Sequence, residues 1–255
     1  MRNGKTLLMV ILSMLVIDAW QCEAIPKPIR ILPLGDSITQ GGRADRQEYT
    51  YRLPLQRLLL NAGVPFDFIG SMNAGLESDA RWADVAAGVR FDPDHEGHYG
   101  WQTAAVRDQL QTWLMLYEPP DIVLLHLGTN DQDAARNATN EVEANQRFER
   151  AIVEPLEDMI AMLRQRNPQV VILVGHLHFD QGPALKIRPL VEAMARRLST
   201  RESPVVTVHH YQNFIAAPGP GSDTFDWAHP NPQGQKKMAI AWFTAMQPYL
   251  SHRDR

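Results

Sequence analysis

The sequence predicts an α/β fold: a three-layer α/β/α sandwich around a five-stranded parallel sheet of flavodoxin-like type. Three observations lead there. Short apolar runs alternate with longer helical patterns, the signature of successive βαβ units. The run at residues 121–127, DIVLLHL, is almost continuously apolar rather than alternating, as a strand covered on both faces should be. With 255 residues, 44% of them hydrophobic and 21% charged, the chain has material for one sizeable core, and no repeat or long linker divides it.

The amino terminus reads as a segment outside that fold. Arg2 and Lys5 precede an apolar run over residues 7–17 that only Ser13 interrupts. Such a run makes about 16 Å of helix, too short for a hydrocarbon core of about 30 Å. Residues 1–24 therefore read as a secretory signal peptide cleaved after Ala24, with small residues at Cys22 and Ala24. A lipoprotein reading at Cys22 is disfavoured by Ala19-Trp20-Gln21, which lacks the usual leucine and small residue before the cysteine. The expectation is an exported protein, secreted or periplasmic, with no stable membrane association after cleavage. Residues 25–255 then form one domain.

The elements of that domain follow in order. Residues 29–34 read as the first strand, ending at Gly35. Residues 49–62 place Leu53, Leu55, Leu58 and Leu59 near helical spacing and stop at Gly63. Residues 66–69 are a short second strand, and residues 71–100 a long surface excursion rich in Gly, Asp and His. A helix over 103–117 is closed by Pro119-Pro120, and the third strand is 121–127. Residues 140–166 read as one long helix kinked near Pro155. Strand four is 170–175, a helix spans 187–199, strand five is 205–208, and a helix over 233–249 closes the chain. The expected strand order is 2-1-3-4-5.

Charge and cysteine content narrow the function. A net charge of -4, from 25 basic and 29 acidic residues, argues against nucleic acid or an anionic membrane as partner. One cysteine excludes an intrachain disulfide framework and a cysteine-rich zinc site.

Four polar clusters stand at strand ends or in the excursion: Gly35-Asp36-Ser37, His98-Tyr99-Gly100-Trp101, Gly128-Thr129-Asn130-Asp131 and Asp226-Trp227-Ala228-His229-Pro230. In a parallel sheet the carboxyl ends of the strands share one edge, so the four converge on one rim. Their chemistry is complementary. Ser37 is a hydroxyl at a strand-to-helix turn and needs an adjacent base to act as a nucleophile. His229 supplies that base, and Asp226, three residues earlier, can orient its other ring nitrogen. The Ser37 and Gly100 amides with the Asn130 side chain make a candidate oxyanion hole.

These residues resemble the GDSL, or SGNH, hydrolases over most of residues 29–249. Gly35-Asp36-Ser37-Ile38-Thr39 resembles the nucleophile block, Gly100 the oxyanion glycine, Gly128-x-Asn130-Asp131 the asparagine block, and Asp226-x-x-His229-Pro230 the acid/base block. The likeness is closest to acetylxylan-esterase-type carbohydrate esterases. It is echoed in Asp67-Phe68-Ile69-Gly70-Ser71, His95-Glu96-Gly97-His98-Tyr99-Gly100-Trp101 and Leu124-Leu125-His126-Leu127-Gly128-Thr129-Asn130-Asp131. The resemblance implies a serine esterase without cofactor, removing acetyl groups from carbohydrate; none of the site residues is assigned to a metal. Two features depart from that branch: the excursion over 72–94 is longer, and Tyr99 stands where a small residue is common.

Other residues have plainer readings. Asp36 and Asp131 read as turn or capping residues. His126 reads as a hydrogen-bonded core histidine, and His209 and His210 as the end of a strand. His176, His178 and Asp180 stand near a strand end as candidate metal ligands, but the sequence fixes no third strong ligand among them. Asp92, Asp94, His95, Glu96 and His98 read as a calcium or sugar site, or as a solvated loop knitted by hydrogen bonds. Tyr99, Trp101 and Trp227 are the candidate substrate-contacting aromatics, with Trp82 a further one. The expected substrate is an acetylated carbohydrate or small ester. The alternatives are a lipid or short acyl-ester esterase of the same superfamily, and a non-catalytic carbohydrate-binding protein on this fold.

Overall fold

The first strand, β1 (Ile29–Gly35), has a neighbour on each side, and its residues from Ile31 onward are buried. It belongs to a computed structural model that describes residues 27–42, 50–77 and 84–250. The expected signal peptide, Cys22 and Trp82 lie outside these residues.

After β1 come a single-turn helix α1 (Ser37–Gln40), α2 (Arg52–Asn61), β2 (Phe66–Phe68), β3 (Glu96–Gly97) and α3 (Thr103–Trp113). Then follow β4 (Ile122–His126), a 3-10 turn at Thr129–Ala135, α4 (Glu141–Phe148), a π-turn at Glu149–Val153 and α5 (Glu154–Arg166). The chain closes with β5 (Val171–Gly175), α6 (Ala184–Leu198), β6 (Val205–Val208) and α7 (Pro232–Leu250).

The sheet order is β2-β1-β4-β5-β6, all parallel, which is the expected 2-1-3-4-5 order of the five main strands. The addition is β3, a two-residue strand that pairs with the last residues of β1, Leu34 with Glu96 and Gly35 with Gly97. Thus β2 covers the start of β1 and β3 its end. This draws part of the excursion against the strand that leads into Ser37.

β4 and β5 are buried at every position, as continuous apolar strands in a sheet covered on both faces should be. Helices α2 and α7 pack together in one layer, and α3 packs on α5 in the other. Between α2 and α7, Tyr51 meets Trp242, a fully buried indole, at 5.9 Å. Among the described residues no helix is long and apolar enough to cross a membrane.

Three helices differ from the sequence expectation. The single kinked helix over 140–166 is three pieces, because Pro155 has no N–H and its ring crowds the carbonyl four residues back. The ladder loosens into a π-turn immediately before it. α3 stops at Trp113 rather than 117, where the ladder tightens into i→i+3 turns, Met115 N–H to Thr112 O and Leu116 N–H to Trp113 O. α6 begins at Ala184 rather than 187, because Ala184 and Ile187 are both buried on its inner face.

Candidate active site

Ser37 leaves the carboxyl end of β1 through a turn that only glycine permits at position 35. A Cβ on Gly35 would lie 2.3 Å from Thr39 Oγ1 and 2.6 Å from the His126 carbonyl oxygen. Asp36 caps the following turn: its Oδ1 accepts the Ile38 N–H at 3.0 Å, the capping role expected for it. Its carboxyl is fully enclosed, and burial pushes its pKa up to about 7 against the pull of that hydrogen bond.

A residue the sequence reading missed holds this turn in place. Arg52, at the start of α2 and wholly buried, donates from Nε to Thr39 O at 3.0 Å and from Nη2 to Gln40 O at 3.2 Å. Its Nη1 donates to Pro93 O at 2.6 Å. Burial lowers its pKa to about 10, so it remains a cation at neutral pH. One guanidinium thus staples α1 to the excursion. An isolated arginine at a helix start carries no sequence mark that separates it from a solvated one.

The excursion is knitted by hydrogen bonds, and several of its polar side chains are buried. Glu96, fully buried, accepts from Ser71 N at 3.0 Å, Ser71 Oγ at 2.8 Å and His98 Nε2 at 2.9 Å. The His98 ring stacks on Trp113 at 4.1 Å. His95 accepts the Gly97 N–H at Nδ1 and donates from Nε2 to Ala74 O, which fixes its tautomer. The acidic and histidine residues here are therefore occupied as scaffold. They deliver Tyr99, whose N–H donates to Gln40 Oε1 at 2.8 Å, and then Gly100. Gly100 has φ +79°, a left-handed conformation that a side chain disfavours.

Asp226 and His229 come from a tight loop before α7. Phe225 N–H donates to His229 O at 2.8 Å, and Thr224 bridges Pro230 across the turn. Asp223 anchors its base, accepting from Ile215 N and Lys237 Nζ, both at 2.7 Å. Asn231 Oδ1 accepts the Gln233 and Gly234 N–H groups and caps α7.

Within the loop, Asp226 Oδ1 accepts the Ala228 and His229 N–H groups, each at 2.8 Å. Asp226 Oδ2 lies 2.9 Å from His229 Nδ1. Burial raises the Asp226 pKa, but these donors outweigh it and hold the carboxylate at about 2. A carboxylate there requires Nδ1–H as donor, which leaves Nε2 as an acceptor 3.1 Å from Ser37 Oγ. Ser37, His229 and Asp226 thus form one hydrogen-bonded line from residues at opposite ends of the chain.

The remaining expected residues gather around that line. Tyr99 stacks on the His229 ring at 5.3 Å and 16°. Asn130 Nδ2 donates to Trp101 O at 2.8 Å, which ties it to the Gly100 loop and leaves its second amide hydrogen uncommitted by that bond. Asp131 accepts from Thr103 N and Oγ1, a capping role at the start of α3. Among the described residues the Ser37 and Gly100 amides have no acceptor. Trp101 packs on His98 and Trp113 at 4.8 and 5.8 Å, whereas Trp227 is 58% exposed beside Asp226.

The histidine readings change most. His126 is fully buried, and among the described residues neither of its ring nitrogens has a hydrogen-bond partner of normal geometry, as is also true of His178 and His210. The candidate set His176, His178 and Asp180 is scattered: Asp180 pairs with Arg188, His178 packs on Phe214, and His176 bonds Glu192. His209 and His210 do more than end β6, since His210 packs edge-on against Trp242 and His209 faces Glu192.

Comparison with known proteins agrees with this architecture. A "Multidomain esterase" of Ruminococcus flavefaciens is 25% identical over 279 aligned residues; the match takes in 100% of this chain and 33% of that protein. This chain therefore spans about a third of the length of its curated relative. The crystal structure of a carbohydrate esterase family 3 protein from Talaromyces cellulolyticus superposes with a TM-score of 0.66 at 24% identity, covering 87% of this chain and 98% of that one. The Clostridium thermocellum family 3 carbohydrate esterase superposes with a TM-score of 0.64 at 25% identity, covering 88% and 98%. The profile of the GDSL-like lipase/acylhydrolase family matches residues 34–237, the span from the end of β1 into α7 that carries every residue of the line above. The chain belongs to the GDSL-like lipase/acylhydrolase family.

Proposed function

We propose that this protein is an exported serine esterase that removes O-acetyl and other short acyl groups from carbohydrate through an acyl-enzyme intermediate. The observation that carries the reading is the continuous hydrogen-bonded line Ser37 Oγ–His229 Nε2, His229 Nδ1–Asp226 Oδ2, at 3.1 and 2.9 Å. Ser37 Oγ attacks the ester carbonyl carbon while its proton passes to His229 Nε2. Asp226, ionised throughout the working range, holds the imidazolium. The Ser37 and Gly100 amides and the Asn130 side chain receive the oxyanion, each donor worth roughly 2.7–4 kcal/mol in the transition state. Collapse breaks the ester C–O bond, and His229 returns the proton to the departing sugar oxygen. Water, deprotonated by the same imidazole, then attacks acyl-Ser37; the acyl C–Oγ bond breaks, the carboxylic acid leaves, and His229 returns the proton to Ser37 Oγ.

Carbohydrate as the acyl carrier is supported by the likeness to the Clostridium thermocellum family 3 carbohydrate esterase and by the exposed Trp227 indole beside Asp226. Export rests on the residue 1–24 pattern, with residues 25–255 as the mature hydrolase domain.

The test is acetate release from acetylated polysaccharides and p-nitrophenyl acetate by wild type and Ser37→Ala. The variant should fold normally and lose at least about 10⁴-fold in kcat. Unchanged turnover would remove Ser37 from the mechanism. Faster hydrolysis of acyl chains beyond about four carbons would replace acetyl carbohydrate with a lipid-type ester, a small acyl pocket discriminating by about 1–3 kcal/mol per methylene. Glycan binding without any esterase activity would make the protein a lectin on this fold.

A further inference from the structure

A second cluster of chemically capable side chains sits at the carboxyl edge of the sheet, two and three strands away from the strand that carries Ser37. His176 follows β5, His209 follows β6, and Glu192 comes from α6, the helix that connects those strands. The ligand atoms of the three all lie within 4.8 Å of one another. His176 Nε2 is 2.8 Å and His209 Nε2 3.8 Å from the same oxygen, Glu192 Oε1.

We infer that His176, Glu192 and His209 form a binding site for a divalent transition-metal cation of the zinc class. Two imidazoles and one carboxylate suit a borderline-soft ion that favours tetrahedral geometry, and they leave a fourth position open to water or an exogenous ligand. At metal–ligand distances of about 2.0–2.2 Å, tetrahedral donors stand roughly 3.3 Å apart. The present separations require adjustments of an ångström or so, and only His176 is deeply buried.

The surrounding groups support coordination as well as proximity. His209 Nδ1 lies 2.8 Å from Tyr211 OH, a hydrogen bond that holds the ring with Nε2 facing Glu192. Thr207 Oγ1 donates to Glu192 Oε1 at 3.1 Å and orients the carboxylate. Hydrogen bonds of this kind fix the tautomer and rotamer of metal ligands. Two cations stand nearby and set limits on affinity. Arg196 Nη1 is 3.6 Å from Glu192 Oε2, but its side chain is 71% exposed and can withdraw into water. Arg188 lies over the Tyr211 ring at 3.4 Å and is paired with Asp180 at 2.9 Å, which balances its charge. Unlike the buried trio His126, His178 and His210, this cluster has its donor atoms within reach of one ion and an exposed side through which it can enter.

The site stands apart from the proposed Ser37–His229–Asp226 line, so the two are separable by experiment. The full chain, purified without a histidine tag and stripped with chelator, is titrated with Co²⁺ and followed by visible absorption. Zn²⁺ affinity is then read by competition with a chromophoric indicator. Wild type should take up one equivalent with the intense bands of a four-coordinate cobalt site. Glu192→Gln and His209→Gln, both at partly exposed positions, should each weaken binding at least about tenfold, while His229→Gln binds as wild type. Absence of stoichiometric binding, or binding that survives both substitutions, overturns the site. So does binding lost only in His229→Gln, which would place the ion on the hydrolytic residues instead.

Discussion

At the scale of single residues, Asp226 is the most informative group at the site. Three donors converge on it, two from backbone and one from the His229 ring, and together they hold it charged down to a pH of about 2. An asparagine keeps the backbone bonds but presents either the wrong polarity or no charge to the imidazole. Asp226→Asn is expected to lower kcat by roughly 10⁴-fold with little change in KM or thermal stability, measured by steady-state kinetics and calorimetry. Tyr99 acts on the same imidazole from its face, stacked at 5.3 Å. A pair of this kind is worth about 0.5–1.5 kcal/mol, so Tyr99→Ala should reduce kcat/KM by about tenfold or less. Tyr99→Phe keeps the ring and should stay near wild type. Equal losses in both variants would assign the effect to the phenol hydroxyl instead.

At the scale of elements, the site is built by unlike pieces that one arginine and one glutamate hold together. Arg52 binds the carbonyls of Thr39, Gln40 and Pro93, and Glu96 binds Ser71 and His98. Replacing Arg52 by methionine keeps the bulk but takes a donor from the Gln40 and Pro93 carbonyls, while Thr39 O keeps Thr50 Oγ1 at 3.0 Å; each buried group left unsatisfied costs about 1–3 kcal/mol. Arg52→Met is expected to lower Tm by several degrees and kcat as well, because α1 loses its anchor; paired melting curves and kinetics check both. This also explains how far the sequence could be read. The strands and the four polar blocks were legible because apolar runs and strand-end placement are local patterns. Arg52, the π-turn before Pro155 and the short β3 were not, since each depends on what lies opposite in space. The excursion stayed open between a ligand site and a hydrogen-bonded loop for the same reason: burial of Glu96 follows from its partners, not from its neighbours in sequence.

At the scale of the whole molecule, the core holds charge-capable groups that respond to acid in opposite directions. Among the described residues, His126, His178 and His210 are buried without a hydrogen-bond partner of normal geometry on either ring nitrogen. Burial lowers the His126 pKa from 6.5 to about 4 and drives the other two well below 6.5. Between pH 6.5 and 4 the unfolded chain therefore binds a proton at His126 that the folded chain refuses, and stability falls as pH falls. One such residue withdraws about 1.4 kcal/mol per pH unit, about 3 kcal/mol over the window. Asp36 and Asp92 work the other way. Burial raises them to about 7 and about 6, so the folded chain takes up their protons first and gains stability as pH drops toward 3.8. The net pH profile of wild type mixes these contributions, so the sharp measurement is a difference between two proteins. His126→Leu removes two unpartnered polar atoms from an apolar strand at little cost in packing, and is expected to be neutral or stabilising at pH 7.5. At pH 4.5 it should exceed wild type by a further 2 kcal/mol or so, read from urea unfolding at both pH values. An unchanged difference between the two pH values would mean that His126 finds a proton partner in the folded core.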